Sequence, residues 1–256
     1  MFGDDTVRSP HSVISSASFV RWIVVGVALL NLFVFGLVAF SLTQSFDEYE
    51  ERAEVTALNL SQMLAHDIGR EFEKIDVMLL TAADEIEHQK AQRGGVDTVA
   101  LNDFLLRLQG RVPEIISMRA TDAEGIVTYG RGIDPRARLN NSDREYFARQ
   151  RDNPAAGMVI SKPLFARIDK QWVITASRPL RRADGAFDGV VYVNVTLDHL
   201  AQGFSAIEVG KRGSVSLRDA DLRIFVHYPI PERLEKVIGQ KLEVPELRTL
   251  IQSGRT

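Results

Sequence analysis

Arg144, Tyr146 and Phe147 lie within the run Ser142-Asp143-Arg144-Glu145-Tyr146-Phe147, whose residue types suit the capture of a small anion. A guanidinium forks onto a carboxylate through two parallel N–H donors, and aromatic rings beside it can wall a pocket. Ser142 or Asp143 is placed to cap a short helix, because a side-chain oxygen there meets free backbone N–H groups. Arg144 then falls in the first turn. The plainer alternative is an arginine paired to a neighbouring acid beside two core aromatics. Trp172 opens an apolar run and offers a flat wall with one donor. Arg178 closes that run after Ser177, and Tyr129 is a further candidate of the same kind. For these three, core packing is the competing reading.

Other chemistries have little footing. The chain has no cysteine, which excludes disulfides, thiolate metal sites and a cysteine nucleophile. His11, His66, His88, His199 and His227 show no metal-ligand spacing, so no metal and no cofactor is expected. Asp84, Glu85 and Glu87 read as a solvated helix face, and Arg93-Gly94-Gly95-Val96-Asp97 as a loop. A phosphate-binding glycine loop, a Gly-x-Ser-x-Gly elbow and kinase or cyclase signatures are all missing from the 256 residues. A net charge of -3 leaves no basic footprint for nucleic acid. An enzyme is therefore not expected here. Turnover by the part after Leu42 would reverse that reading.

Several elements must position the candidates. Phe19 to Leu42 is almost wholly apolar, with Arg21 at its start and Asn31 as the one strongly polar residue inside. About 20 apolar residues cross a hydrocarbon core of about 30 Å, whereas the core of a cleaved signal is only about 7–15 residues long. An uncleaved transmembrane helix is expected over 19–42, in preference to a cleaved signal or a buried soluble helix. Arg8 and Arg21 precede the span, and Asp47, Glu48, Glu50 and Glu51 follow it. Positive residues stay inside, which makes residues 1–18 a cytoplasmic tail and puts everything after Leu42 outside.

Ser45 to Gln92 reads as one long helix: it lacks proline, and Val55, Leu58, Met63, Ile68, Phe72, Ile75, Leu79 and Ala83 recur mostly every three to five residues. Leu101 to Gln109 is a second, short helix. Short β-rich runs follow at 115–119, 125–129, 157–160, 172–177 and 190–195, separated by turn residues that include the hairpin signal Asp184-Gly185. The last run is apolar at consecutive positions and is expected at the centre of a sheet. Leu197 to Phe204 reads as a connecting helix. A second β set starts at Ser214-Val215-Ser216-Leu217 and Ile224-Phe225-Val226, and Glu246 to Ser253 reads as a helical tail. The chain stops inside this smaller unit, so the natural protein is expected to continue.

In this order the pieces resemble the double Cache (PDC, PAS-like) sensors of bacterial membrane-bound diguanylate cyclases and histidine kinases. The resemblance runs from about Phe46 to the end. It rests on Leu79-Leu80-Thr81-Ala82-Ala83-Asp84, Asp122-Ala123-Glu124-Gly125, the 142–147 run, Trp172-Val173-Ile174-Thr175-Ala176-Ser177-Arg178 and Asp184 to Val191. It implies an α+β fold: a transmembrane helix, a long juxtamembrane signalling helix over 45–92, a PAS-like antiparallel sheet with flanking helices in a membrane-distal subdomain over 93–205, and the beginning of a smaller membrane-proximal subdomain over 206–256. It also implies that Arg144 and the aromatics after it line the distal ligand cavity. Amino-acid sensors of the family carry an aspartate where this chain has Asn194, and that aspartate holds the ligand's ammonium group. Asn194 lacks the charge, which turns the expectation toward a carboxylate or other small anion.

The resulting expectation is an extracytoplasmic small-ligand sensor in the bacterial inner membrane, with its C-terminal part periplasmic. It would act as a homodimer and signal through its long helix to a cytoplasmic output domain. A chemoreceptor ectodomain and a tethered protein-interaction domain without a small-molecule pocket are the alternatives. A cavity of a few hundred Å³ near Arg144 would argue against the interaction domain.

Overall fold

The structure, a computed structural model, describes residues 16–134, 136–153, 155–208, 210, 213–219, 221–229 and 238–239. The chain divides into two units, Met1–Met63 and Leu64–Thr256, and helix α1 (Ser16–Arg93) contains the division. The expected tail over 246–253 lies outside the described residues.

In the first unit α1 carries the apolar segment Phe19–Ser45, long enough to cross a bilayer. Its large side chains, Trp22, Leu32 and Phe35 among them, lie exposed around the helix. A helix apolar all round must be covered by lipid or protein. Asn31 turns its amide back on the helix, donating to the Val27 carbonyl at 2.8 Å.

The second unit holds the sheet. After α1 come α2 (Thr98–Gln109), β1 (Ile115–Thr121), β2 (Val127–Gly130), α3 (Glu145–Asp152), β3 (Val159–Ile160), β4 (Leu164–Phe165), β5 (Trp172–Arg181), β6 (Phe187–Thr196) and α4 (Leu197–Ser205). The strands are antiparallel in the order β2-β1-β6-β5-β3, and β4 also pairs with β5. β6 is central and buried along most of its length, as its consecutive apolar residues require. A separate pair, β7 (Val215–Arg218) and β8 (Ile224–Tyr228), packs near α4.

Strand alternation gives the sheet two unlike faces. Met118, Ala120, Ile174, Ala176, Leu180, Val191, Val193 and Val195 form a core with Ile75, Leu79, Ala82 and Ile86 of α1 and with Leu101 and Leu105 of α2. The opposite face carries Ser117, Arg119, Thr175, Tyr192 and Asn194, all buried although polar. Asp97 caps α2 by accepting from the backbone N–H groups of Val99 and Ala100, which starts the helix at Thr98, three residues before Leu101.

Asp184-Gly185 forms the turn between β5 and β6, with the Arg182 N–H donating to Ala186. Gly189 has φ +117°, and a Cβ there would lie 2.2 Å from the Thr121 carbonyl oxygen. Gly203, in contrast, lies on the exposed side of α4, where an added methyl group would meet nothing within 4 Å. Gly189→Ala should therefore destabilise the chain by more than about 2 kcal/mol through strain and backbone collision. Gly203→Ala should stabilise it by about 0.5–1 kcal/mol. Calorimetry of the detergent-solubilised chain reads both signs.

Candidate functional site

On the polar face four donors from three side chains converge on one carboxylate. The Arg119 guanidinium forks onto Asp169, Nη1 to Oδ2 and Nη2 to Oδ1, both at 2.8 Å. Oδ2 also accepts from Ser117 Oγ at 2.9 Å and from Asn194 Nδ2 at 2.9 Å. The donors are themselves fixed: Arg119 Nε donates to the Arg131 carbonyl at 2.9 Å, and Asn194 Oδ1 accepts from Thr175 Oγ1 at 2.8 Å, which points its amide N–H at Asp169. The Arg119 side chain is 4% exposed and that of Asp169 12%.

Register brings these residues together. Ser117 and Arg119 pair with Asn194 and Tyr192 across β1 and β6, and Thr175 pairs with Asn194 across β5 and β6. Asp169 comes from the loop between β4 and β5. That loop is closed by the Ala166 N–H to the Gln171 carbonyl at 2.9 Å and the Lys170 N–H to the Ala166 carbonyl at 3.0 Å.

Burial works against a charge on Asp169. The hydrogen bonds from Arg119, Asn194 and Ser117, with the Arg119 charge, more than offset it and hold the carboxyl below its ordinary value of 3.8. Burial also dominates at the two phenols: it pushes Tyr192 up to about 12 and Tyr146 well above 10, so both stay neutral. Tyr192 OH accepts from Asn141 Nδ2 at 3.3 Å, and the Tyr146 and Tyr192 rings lie 5.6 Å apart.

Two further arginines form the rim. Arg144 Nη2 donates to the Phe165 carbonyl at 3.0 Å. Arg167 forks onto Asp143 at 2.8 and 2.6 Å and also donates to the Asn140 carbonyl. The cavity lined by these groups measures about 20 Å³, room for about one water. It falls short of the few hundred Å³ beside Arg144 that would have argued against the interaction domain.

The seven candidates separate. Arg144, Tyr146 and Asn194 line this cavity. Phe147 lies beside it in a second small core with Val159, Val190 and Tyr192, edge-on to Phe187 at 5.4 Å. Arg178 points to the helical face and forks onto Asp76 of α1 at 2.6 and 2.7 Å. Trp172 packs on the main core and meets Phe165 edge-on, and Tyr129 also packs on the main core. The capping expectation is corrected as well: Arg144 itself is the N-cap of α3, which has no side-chain cap, because the Asp143 carboxylate is taken by Arg167.

Sequence reasoning missed Arg119, Asp169, Arg167 and Tyr192. Arg119 was detectable: Ser117, Arg119 and Thr121 alternate with Met118 and Ala120, so a buried strand carries a stripe of polar side chains. Asp169 sits in an ordinary turn and had no comparable signal. Among the described residues no group of three His, Asp or Glu side chains could hold a metal ion.

A family model described as a Cache domain matches residues 43–255. Among solved structures, the extracellular domain of rpHK1S-Z16, described as a histidine kinase, is 27% identical with a TM-score of 0.65, over 77% of each chain. The ligand-binding domain of the Pseudomonas fluorescens chemoreceptor CtaA in complex with L-alanine is 18% identical, with a TM-score of 0.55 over 71% of this chain and 72% of that one. That of the Campylobacter jejuni chemoreceptor Tlp3 in complex with L-valine is 15% identical, with a TM-score of 0.56 over 76% of each chain. No curated protein matches the sequence at a significant level.

Removing one member of a buried ion pair strands the other. Arg119→Met and Asp169→Leu should each cost about 3–5 kcal/mol, and the double variant should cost less than either alone. Because the Asp169 carboxyl is held low, its contribution is present above its unfolded value and fades as pH falls through its folded one. The stability gap between the wild type and Asp169→Asn should be full at pH 6–7 and shrink below about pH 4. Calorimetry across pH checks both expectations.

Proposed function

Because the chain belongs to the Cache-domain family, a family of extracellular sensors, we propose that it is the sensing part of an inner-membrane receptor and that its ligand is a small anion, in the first instance a carboxylate. The observation that carries this reading is the buried Arg119 fork with Ser117 and Asn194 at the floor of a cavity whose rim holds Arg144 and Arg167. Three guanidinium groups against one lining carboxylate favour an anion. Complexes with L-alanine and L-valine in the chemoreceptor domains of the same fold support a small-molecule ligand. Asn194 gives an ammonium group no charge of its own, and Asp169 is already committed to Arg119.

In this reading the N-terminal span holds the domain at the membrane with its sheet in the periplasm. Residues 93–205 form the membrane-distal subdomain and 206–256 open the membrane-proximal one. Ligand binding favours one of two arrangements, and the helix after the span transmits the difference, in a homodimer, to a kinase or cyclase output. The small cavity favours one rival, a tethered protein-interaction domain.

A thermal-unfolding screen of the detergent-solubilised chain against small carboxylates, phosphate, sulfate and amino acids separates the two. Carboxylates should raise the midpoint by mass action. Arg144→Ala should raise the half-saturating concentration at least tenfold, about 1.4 kcal/mol, while leaving the unliganded midpoint within about 3 °C. Arg178→Ala, on the helical face, should leave the ligand response unchanged. A chain indifferent to every anion contradicts the proposal and favours the interaction domain.

A further inference from the structure

We infer that Asp169 is a built-in stand-in for the ligand: its carboxylate occupies the anion position of the floor, and a ligand carboxylate binds by exchanging with it and lifting the 166–171 loop. The exchange rests on the small-anion reading proposed above. The existence of a carboxylate receptor in the floor does not.

The geometry points to this in three ways. First, all four donors to Asp169 come from the sheet, from Ser117 and both Nη groups of Arg119 on β1 and from Asn194 on β6, while the acceptor comes from a loop outside it. The donors are oriented by other partners, the Arg131 carbonyl and Thr175 Oγ1, so the receptor is organised independently of the group that fills it. A fork, a hydroxyl and an amide are what any carboxylate needs, and Asp169 meets that need from within the chain.

Second, the loop is a small piece that can move as one. It links β4, two residues long, to β5, and two backbone hydrogen bonds close it. Lys170 holds φ +54° at its end, a conformation costly for a non-glycine residue. Its other ties lie at the rim, where Arg144 reaches the Phe165 carbonyl and Arg167 reaches Asp143. Third, the open volume of about 20 Å³ excludes even a small organic acid while Asp169 is in place. Entry of a ligand carboxylate requires Asp169 to leave, and the exchange keeps Arg119 paired throughout, which a buried guanidinium demands.

An internal competitor lowers apparent affinity in proportion to how rarely the loop is open. It also turns ligand arrival into displacement of a chain segment, which gives occupied and empty sites two distinct structures.

Chemical rescue tests the receptor. Asp169→Ala removes the internal carboxylate and should lower the unfolding midpoint by roughly 10 °C. Acetate should restore the midpoint saturably in the millimolar range, acetamide and methylammonium should not, and the wild type should be unmoved at those concentrations. Acetate acting equally on variant and wild type, or a variant as stable as the wild type, overturns the inference.

The exchange is tested outside the floor, and this arm still decides if Asp169→Ala fails to fold. Lys170→Pro removes the loop-closing N–H and is incompatible with a positive φ, whereas Lys170→Gly relaxes that φ. The proline variant should bind acetate at least tenfold more tightly than the glycine variant, with the wild type between them. Equal affinities overturn the exchange. Rescue of Asp169→Ala with a wild type and a proline variant silent to all anions leaves the receptor standing and overturns the sensor reading. An anion-responsive wild type with no rescue and equal Lys170 variants does the reverse.

Discussion

A guanidinium in a protein interior has to be answered by a carboxylate or an equivalent, and Arg119 imposes that requirement on this fold. It projects from the middle of β1 on the face that lacks the main hydrophobic core, at 3% exposure. Its surroundings follow from the need. Ser117 and Asn194 share its carboxylate, Thr175 orients Asn194, and Asp169 is drawn down from the edge hairpin. Such a pair contributes little net stability compared with apolar packing, and breaking one half is costly. Its value lies in specifying where a negative group must sit. A sensor that answers to a negative group can be built on that specification.

The apolar face explains how the polar face is tolerated. Alternate residues of β1, β5 and β6 bury Met118, Ala176, Val191, Val193 and Val195 against α1 and α2, and that packing holds the strands in register. With register fixed, the same strands can present Ser117, Arg119, Thr175 and Asn194 side by side at little further conformational cost. A slip of one residue would exchange the two faces and bury the charges in the core, so the hydrophobic pattern also protects the site.

The elements were largely legible in the residues. Helices, the Asp184-Gly185 hairpin and a central strand over 190–195 follow from periodicity, turn chemistry and an unbroken apolar run, and the structure extends that strand to Phe187–Thr196. The two-residue strands β3 and β4 are too short for any periodic signal, and β4 was missed. The site was legible only in part. Arg144, Tyr146 and Asn194 converge on the cavity, but Arg178 and Trp172 belong to the other face. Strand parity separates them: Thr175 and Ser177 face one way, Arg178 the other. Asp169 could not be found, because a turn aspartate gains meaning only from strands some 25 and 50 residues away that it meets in space. Position 194 shows the same limit. Its neutral amide argued only against an ammonium-holding aspartate at that position, yet the fold brings the Asp169 carboxylate against it from a different segment.

If the floor built on Arg119 is a carboxylate receptor, an external ligand must be able to occupy it. A crystal structure of the extracytoplasmic region with its most stabilising carboxylate tests this most directly. The ligand's carboxylate should lie within hydrogen-bonding distance of Arg119 Nη1 and Nη2, Ser117 Oγ and Asn194 Nδ2, with Asp169 turned out to solvent and the 166–171 loop displaced. A ligand bound elsewhere, with the Arg119–Asp169 fork intact at about its present 2.8 Å, would contradict it.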